Sequence, residues 1–187
     1  MSAVCLIFGL ALLAALWSVP MAPGFTAHML RHMALVALVP PLIVIGLPAL
    51  RGFAMPALAA ALVEFAVVWG WHLPVFHEAA QVDPVWFAAE QGSFLLAGLA
   101  VWGAVLRPGA ELAGAGGLLL TSMHMTLLGA LLILAARPLY GAICYGGDAL
   151  WDQQMGGMVM LGIGMPVYLV AGLLRVRQVL GEEGAPS

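Results

Sequence analysis

Charged residues are scarce in this sequence. Of 187 residues, 8% are charged, and all six basic residues are arginine, because lysine is absent. A chain with so little positive charge has no basic face for nucleic acid and no polybasic segment for anionic lipid head groups. Without lysine it also lacks the glycine-rich phosphate loop of nucleotide-binding proteins. These classes of function are therefore excluded.

Cysteine and catalytic motifs are equally sparse. The two cysteines, Cys5 and Cys144, are far apart and form neither a CxxC pair nor a zinc-type spacing. The sequence contains no GxSxG elbow and no HExxH motif. It therefore favours a role other than catalysis. A membrane enzyme acting on a lipid or peptide through Glu64, His124 or Asp152 is an alternative for which no substrate is indicated.

Hydrophobic residues dominate what is present. They make up 64% of the chain and give a mean hydropathy of +1.06, against about 45–50% apolar residues in soluble domains. We therefore predict an all-α integral membrane protein with one transmembrane domain over residues 1–175 and a polar cytoplasmic tail over 176–187. Apolar runs of about 20 residues mark membrane helices, and the six predicted spans are 3–19, 30–50, 56–71, 86–106, 116–136 and 155–174. No positive residue precedes the first run, which favours an uncleaved helix over a signal peptide.

The arginines predict the orientation, since positive residues favour the cytoplasmic side. With both ends in the cytoplasm, four arginines lie inside, namely Arg51, Arg107, Arg175 and Arg177. Only Arg31 and Arg137 then lie outside. In this arrangement most other polar residues collect on the outer face: His28, His32, His72, His77, Glu78, Asp83, Glu90, Gln91, Asp148, Asp152, Gln153 and Gln154. Such a one-sided distribution indicates a functional outer face.

The sharpest pattern on this face is His28-Met29-x-x-His32-Met33. Residues four apart share one face of a helix, so both imidazoles can reach the same ion. Imidazole binds copper in either oxidation state and thioether favours Cu(I), so the pattern suits copper. The alternative is an amphipathic turn in which the histidines are hydrogen-bonded and the methionines pack.

A second pattern, His72-Leu-Pro-x-x-His77, follows the third predicted span. Because Pro74 disfavours helix in the residue before it, we expect an extended or turned segment that folds back over the helix ends. Its histidines are either bridging ligands or loop residues satisfied by water. Asp152 opens the sixth predicted helix, where it is a further ligand candidate or a helix cap.

Two ionisable residues lie within predicted spans, where burial of a charge is costly and points to function. Glu64 lies two helical turns, about 12 Å, below His72. His124 lies in the fifth span at a depth that keeps it away from His28. We expect Glu64 and His124 to pair across the bundle, or His124 to ligate a metal or a haem. Pro40-Pro41 should kink the second span or leave backbone groups for its neighbours.

Several blocks resemble one known family. The first block is His28-Met-Leu-Arg-His32-Met with the following Val39-Pro-Pro-Leu-Ile-Val-Ile-Gly-Leu-Pro48. The second is Trp71-His-Leu-Pro-Val-Phe-His77, and the third is Pro138-Leu-Tyr140 followed by Asp152-Gln-Gln-Met-Gly-Gly157. Together they resemble the CtaG family of caa3-type cytochrome c oxidase assembly factors. The blocks occur in the family's order and extend from about residue 26 to 170. The resemblance implies a multi-pass protein of the bacterial inner (plasma) membrane that supports oxidase maturation at the copper-delivery stage.

We therefore expect a membrane assembly factor that binds copper at its outer, periplasmic or extracellular, face. Its expected partners are cytochrome c oxidase subunits, the lipid bilayer and a periplasmic copper chaperone. The predicted metal ligands are His28, His32, His72, His77, Met29, Met33, His124 and Asp152. Two alternatives remain at this point: a scaffold for oxidase subunits that binds no metal, and a membrane redox protein whose histidines ligate haem.

Overall fold

The structure is a computed structural model that describes residues 2–18, 23–52 and 55–183. Within these ranges the chain forms eight α-helices and no β-strand. In chain order they are α1 (Ser2–Ser18), α2 (Phe25–Met33), α3 (Val39–Gly46), α4 (Ala57–Trp71), α5 (Pro74–Val82), α6 (Pro84–Val105), α7 (Glu111–Leu134) and α8 (Ala149–Glu183). A π-helical turn over Ala34–Leu38 joins α2 to α3, and short 3-10 turns cover Pro48–Gly52 and Ala142–Cys144. The all-helical prediction is confirmed for these residues.

The helices provide fewer long spans than the sequence predicts. Among the described residues, four segments are long and apolar enough to cross a membrane: Phe25–Gly46, Pro84–Val105, Glu111–Leu134 and Ala149–Gly181. A fifth is present if α4 and α5, which are bent by 71°, count as one span. The predicted count of six is not confirmed, because α1 and α4 have only 17 and 15 residues. About 20 residues are needed to cross the hydrocarbon core.

Several helices begin before the predicted spans. The second span was predicted from residue 30, but α2 begins at Phe25, so that both of its histidines lie on the helix. The sixth was predicted over 155–174, whereas α8 runs from Ala149 to Glu183. Most of the predicted polar tail therefore continues the last helix.

The proline pair in the second span disturbs the helix as expected. Pro40 and Pro41 have no N–H, so the carbonyl four residues before each of them loses its helical donor. The backbone widens into the π-helical turn Ala34–Leu38 immediately before this pair. For Pro40 the carbonyl without a helical donor belongs to Val36.

Neighbouring helices satisfy that carbonyl. The Val36 oxygen accepts a hydrogen bond from the Trp102 indole nitrogen at 2.9 Å, and the Tyr168 hydroxyl lies 3.3 Å from it. Helix α6 approaches the π-helical turn closely at Gly98, where a Cβ would lie 2.9 Å from the Leu35 carbonyl oxygen. The irregular backbone is thus buried against protein, as backbone within a membrane must be.

The segment after α4 differs from the prediction. We expected residues 72–77 to be extended or turned, but only His72 and Leu73 break the helix, and Pro74 opens α5. The restriction that proline imposes on its predecessor is met at Leu73, which is extended. Proline itself is well suited to the first turn of a helix. The bend returns α5 over the end of α4 and carries His77 back toward His72.

Candidate metal centre

Four histidines and one glutamate meet at one end of the bundle, where α2 and α6 begin and α4 ends. His28 and His32 lie one turn apart on α2, His72 follows the last residue of α4, and His77 lies on α5. Glu90 comes from the second turn of α6. All five side chains are buried, with at most 6% of each exposed. We call this set the histidine cluster.

The donor atoms of the cluster are close enough to share an ion. One ligand atom each from His28, His32 and His72 lies within 4.8 Å of the others. The same holds for His28, His77 and Glu90. The two groups share His28, and the His28 and His77 ring centroids are 4.5 Å apart. The sequence predicted the pair on α2 together with His72 and His77, and the fold adds Glu90 to this set of donors.

Most imidazole nitrogens of the cluster have no hydrogen bond to protein. Both ring nitrogens of His32 and of His77, and Nε2 of His28 and of His72, find no hydrogen-bond partner within the described part of the chain. Glu90 approaches Nδ1 of His28 at 3.7 Å and Nδ1 of His77 at 3.8 Å, which is longer than a hydrogen bond. Buried polar groups are normally paired. This concentration of unpaired nitrogen therefore points to a ligand.

One hydrogen bond fixes the orientation of a cluster imidazole. His72 Nδ1 lies 2.7 Å from the Val68 carbonyl oxygen, one turn earlier on α4. A carbonyl only accepts, so this contact assigns the proton to Nδ1 and leaves the Nε2 lone pair directed into the cluster. A backbone carbonyl behind an imidazole is a common arrangement for metal-binding histidines.

Aromatic rings enclose the cluster. Phe94 stacks on the His32 ring with centroids 4.2 Å apart, and Phe25 lies 5.3 Å from the His77 ring. Tyr140 lies 4.7 Å from His77 and donates its hydroxyl to the His72 carbonyl at 3.2 Å. Burial raises the pKa of Tyr140, which keeps this donor protonated. The rings limit the access of water to the imidazoles.

The segment between α7 and α8, residues 135–148, lies over this end of the bundle; we call it the covering loop. Its backbone is held by side chains from two helices. Gly141 N donates to Glu78 of α5 at 2.8 Å, and Leu139 N donates to Gln153 of α8 at 2.8 Å. Gln153 also donates to the Leu132 carbonyl at 3.1 Å. These bonds keep the loop closed over the cluster.

The predicted metal ligand Asp152 holds two segments together instead of joining the cluster. Its carboxylate accepts from Phe25 N at 2.8 Å and Thr26 N at 3.0 Å, the first amides of α2, and from Gly146 N of the covering loop at 2.9 Å. It therefore caps α2. The expectation that it caps its own helix is wrong, since the Trp151 amide donates to Asp148 at 2.8 Å.

The predicted methionine ligands are buried on the side of α2 that packs on α8. A Cβ added at Gly156 would lie 3.1 Å from Met29 Cγ, and a Cβ added at Gly164 would lie 3.5 Å from Met33 Sδ. Neither side chain is exposed. The structure therefore places both thioethers along the α2–α8 contact.

His124 is not among the residues whose donor atoms converge in the histidine cluster. Its Nε2 lies 3.9 Å from Glu64, so the predicted pairing across the bundle is present between α7 and α4. Glu90, by contrast, was recognised only as one of many outer polar residues and not as a site residue. The sequence feature that could have identified Glu90 as a site residue is that it is the one charged residue of a helix long enough to span a membrane.

Comparison with known proteins identifies the family. Residues 1–182 match the family described as cytochrome c oxidase caa3 assembly factor, Caa3_CtaG. The chain belongs to this family. Neither a curated protein nor a solved structure matches it. Membership of Caa3_CtaG makes the chain an assembly factor for the caa3 cytochrome c oxidase, which implies that it interacts with the oxidase. Its several membrane-length apolar helices agree with a membrane location.

Proposed function

We propose that this Caa3_CtaG protein binds copper in the histidine cluster and delivers it to the oxidase. The observation that carries the proposal is the buried set of imidazole nitrogens within 4.8 Å of one another. Imidazole is a good ligand for copper, and copper is among the metals that His-rich sites bind most tightly. The unpaired nitrogens agree with a site built for an ion, since buried polar atoms otherwise cost free energy.

His28, His32 and His72 form the core of the proposed site. His28 and His32 act from one helix face, and His72 acts through the Nε2 atom left available by its bond to Val68. Glu90 and His77 complete the second group of donors around His28. A carboxylate in this position lowers the cost of bringing a cation into an apolar bundle, because it contributes a compensating charge.

The proposed site faces the outer, periplasmic side of the bacterial inner membrane, with both chain ends in the cytoplasm, an arrangement in which α1 and the bent pair α4–α5 each cross the membrane. The arginine count supports this orientation. Arg175 donates to the Arg107 carbonyl at 2.8 Å and to Glu111 at 3.3 Å, so these two arginines lie together at the end away from the covering loop. Copper in the outer compartment, supplied by a periplasmic copper chaperone, then reaches the cluster without crossing the membrane.

The metal content of the detergent-purified full chain tests this proposal. Replacing His28→Ala and His32→Ala together should remove about one copper ion per chain, because binding depends on deprotonated imidazoles held in the fold. Asp83→Asn is the control, since Asp83 lies near the same end but is exposed and only caps α6. Copper content is measured by mass spectrometry after growth with added copper, and folding is checked by size exclusion.

Two outcomes would overturn the assignment. Unchanged copper in the double variant would exclude the cluster as the binding site. A metal-free wild-type chain that still co-purifies with oxidase subunits would favour the scaffold, whose histidines serve only packing. An optical spectrum of the same sample tests the haem alternative, because bound haem would produce a Soret band.

A further inference from the structure

A second buried polar group lies deeper in the bundle, below the histidine cluster. Glu64 of α4 has no exposed surface, and His124 of α7 is 4% exposed. Glu64 precedes His72 by eight residues, which puts it about 12 Å along the helix axis. Ionisable side chains at such a depth in a membrane protein are costly and point to function.

Hydroxyl donors fix the Glu64 carboxylate in place. The Thr121 hydroxyl lies 2.8 Å from one of its oxygens, and the Tyr168 hydroxyl lies 3.1 Å from the other. Tyr168 also lies 3.3 Å from the Val36 carbonyl, the oxygen that the proline pair frees from the helix. Donors from α7 and α8 thus hold this carboxylate in one position, and π-helical turns such as the one beside Tyr168 are frequent at functional sites.

His124 has no such partners. Within the described ranges neither of its ring nitrogens forms a hydrogen bond, although both are buried. Its Nε2 is 3.9 Å from Glu64 Oε2, too far for an N–H···O bond. Two ligands that each bind one metal at about 2.0–2.1 Å are separated by roughly 3.3–4.1 Å. The imidazole and the carboxylate therefore have the separation of two ligands of a shared ion.

Buried methionines pack along α8 on the same side as Glu64. A Cβ at Gly156 would lie 3.1 Å from Met29 Cγ, a Cβ at Gly164 would lie 3.5 Å from Met33 Sδ and 3.9 Å from Met125 Cβ, and Tyr168 reaches Glu64. Met33 and Met125 are both buried. Thioether sulfur favours Cu(I), and a monovalent ion would neutralise the Glu64 carboxylate. The order along α8 is therefore Met29, then Met33 with Met125, then Glu64.

We propose that Glu64 and His124 form a second, deeper Cu(I) site in this chain, reached from the histidine cluster past Met33. The site rests on its own residues and goes beyond the proposed function, which needs only the cluster. Thr121 and Tyr168 are positioning residues that hold the carboxylate. His124 supplies the imidazole ligand and Glu64 the charge that balances the ion.

The stoichiometry of Cu(I) binding tests this proposal. The detergent-purified full chain is titrated anaerobically under reducing conditions against a coloured Cu(I) chelator. Wild type should bind about two ions per chain, and Glu64→Gln or His124→Asn should each bind about one. Met123→Leu is the control, because Met123 precedes His124 on α7 but is 61% exposed and is not a proposed ligand, so the variant should keep both ions. Glu64→Gln and His124→Asn are both used so that the test still holds if one of them fails to fold.

The cluster variant separates the two proposals. If His28→Ala with His32→Ala keeps about one ion and His124→Asn added to it removes the last, the deep site exists. If wild type binds a single ion that the cluster variant loses and Glu64→Gln retains, the deep site is wrong and the cluster stands. If the cluster variant retains every ion that wild type binds while His124→Asn loses one, the deep site stands and the proposed function is wrong.

Discussion

At the scale of single residues, Gly24 sets how α2 meets the rest of the bundle. Its φ and ψ are 132° and 169°, a region that essentially only glycine adopts. A Cβ at this position would lie 2.6 Å from the Asp152 carboxylate and 2.8 Å from Gly146 N. Gly24 thereby lets Asp152 reach the first amides of α2, one turn before His28.

Replacing Gly24→Ala should therefore destabilise the protein by about 1–3 kcal/mol, the usual cost of holding another residue in this conformation. Gly147→Ala is the matched control, because Gly147 is close to the same site and a Cβ there meets no atom within 4 Å. Thermal unfolding of the purified protein in detergent measures the difference. An equal loss of stability in both variants would contradict the prediction.

Glu90 is the one acidic side chain of the histidine cluster, and it changes which ligand atoms the cluster offers. Without it the cluster would offer imidazole donors alone, a set suited to any borderline metal. With it, a carboxylate lies 3.7 Å from His28 and 3.8 Å from His77. The sequence reveals its residue type and its place near the start of α6, but only the packing of α5 and α6 brings it between these two imidazoles.

At the scale of secondary-structure elements, the covering loop controls access to the cluster. Cys144 lies in this loop with 2% of its surface exposed. Burial, with Glu78 and Glu90 acting in the same direction, raises the pKa of its thiol to about 11. Because the thiolate is the reactive form, Cys144 should react slowly with alkylating reagents at neutral pH.

Cys144 is therefore a reporter of loop closure. In a Cys5→Ser background, its alkylation rate should rise about tenfold per pH unit from pH 8 to 10, since the thiolate fraction grows at that rate below the pKa. Asp152→Ala removes the hydrogen bond to Gly146 and the cap on α2. It should open the loop, lower the pKa toward its ordinary value and raise the rate at pH 8 at least about tenfold.

The matched control for this measurement is Asp148→Asn. Asp148 lies in the same loop and caps α8 through the Trp151 amide, and asparagine preserves that cap. Its rate should equal that of the background protein. If Cys144 is alkylated fast at pH 8 in the Cys5→Ser background, where Asp152 is intact, the loop does not protect the thiol.

At the scale of the whole molecule, the buried polar side chains are concentrated at the two ends of the bundle and around Glu64 and His124 within it. The histidine cluster and the covering loop occupy one end, and the Arg175–Arg107–Glu111 contacts occupy the other. Large apolar side chains such as Leu112 and Leu134 are 74% and 80% exposed, as suits a surface in contact with lipid. Orientation then decides which compartment the cluster faces.

Fusions at the C-terminus test the orientation. With the C-terminus in the cytoplasm, a green fluorescent protein fusion should be fluorescent and an alkaline phosphatase fusion inactive, because the arginine-rich end stays inside. The opposite pattern would place the histidine cluster on the cytoplasmic side. It would also remove the periplasmic route for copper, while leaving the ligands of the cluster unchanged.

Composition and long apolar runs were enough to predict the helical membrane class, because they leave no other way to bury so much apolar surface and satisfy the backbone. Helical spacing, a local property, was likewise enough to predict that His28 and His32 share one helix face. Family membership followed from motifs in a fixed order.

The other features of the site depend on how distant segments pack together. The bend at His72 and the packing of α5 on α6 bring His77 and Glu90 to His28, across distances in sequence that no local rule covers. Asp152 was assigned to its own helix from sequence, but it caps α2, more than a hundred residues away. The number of membrane-length helices also depended on where α4 breaks. Each of these results comes from contacts between distant segments, which periodicity and residue type leave open.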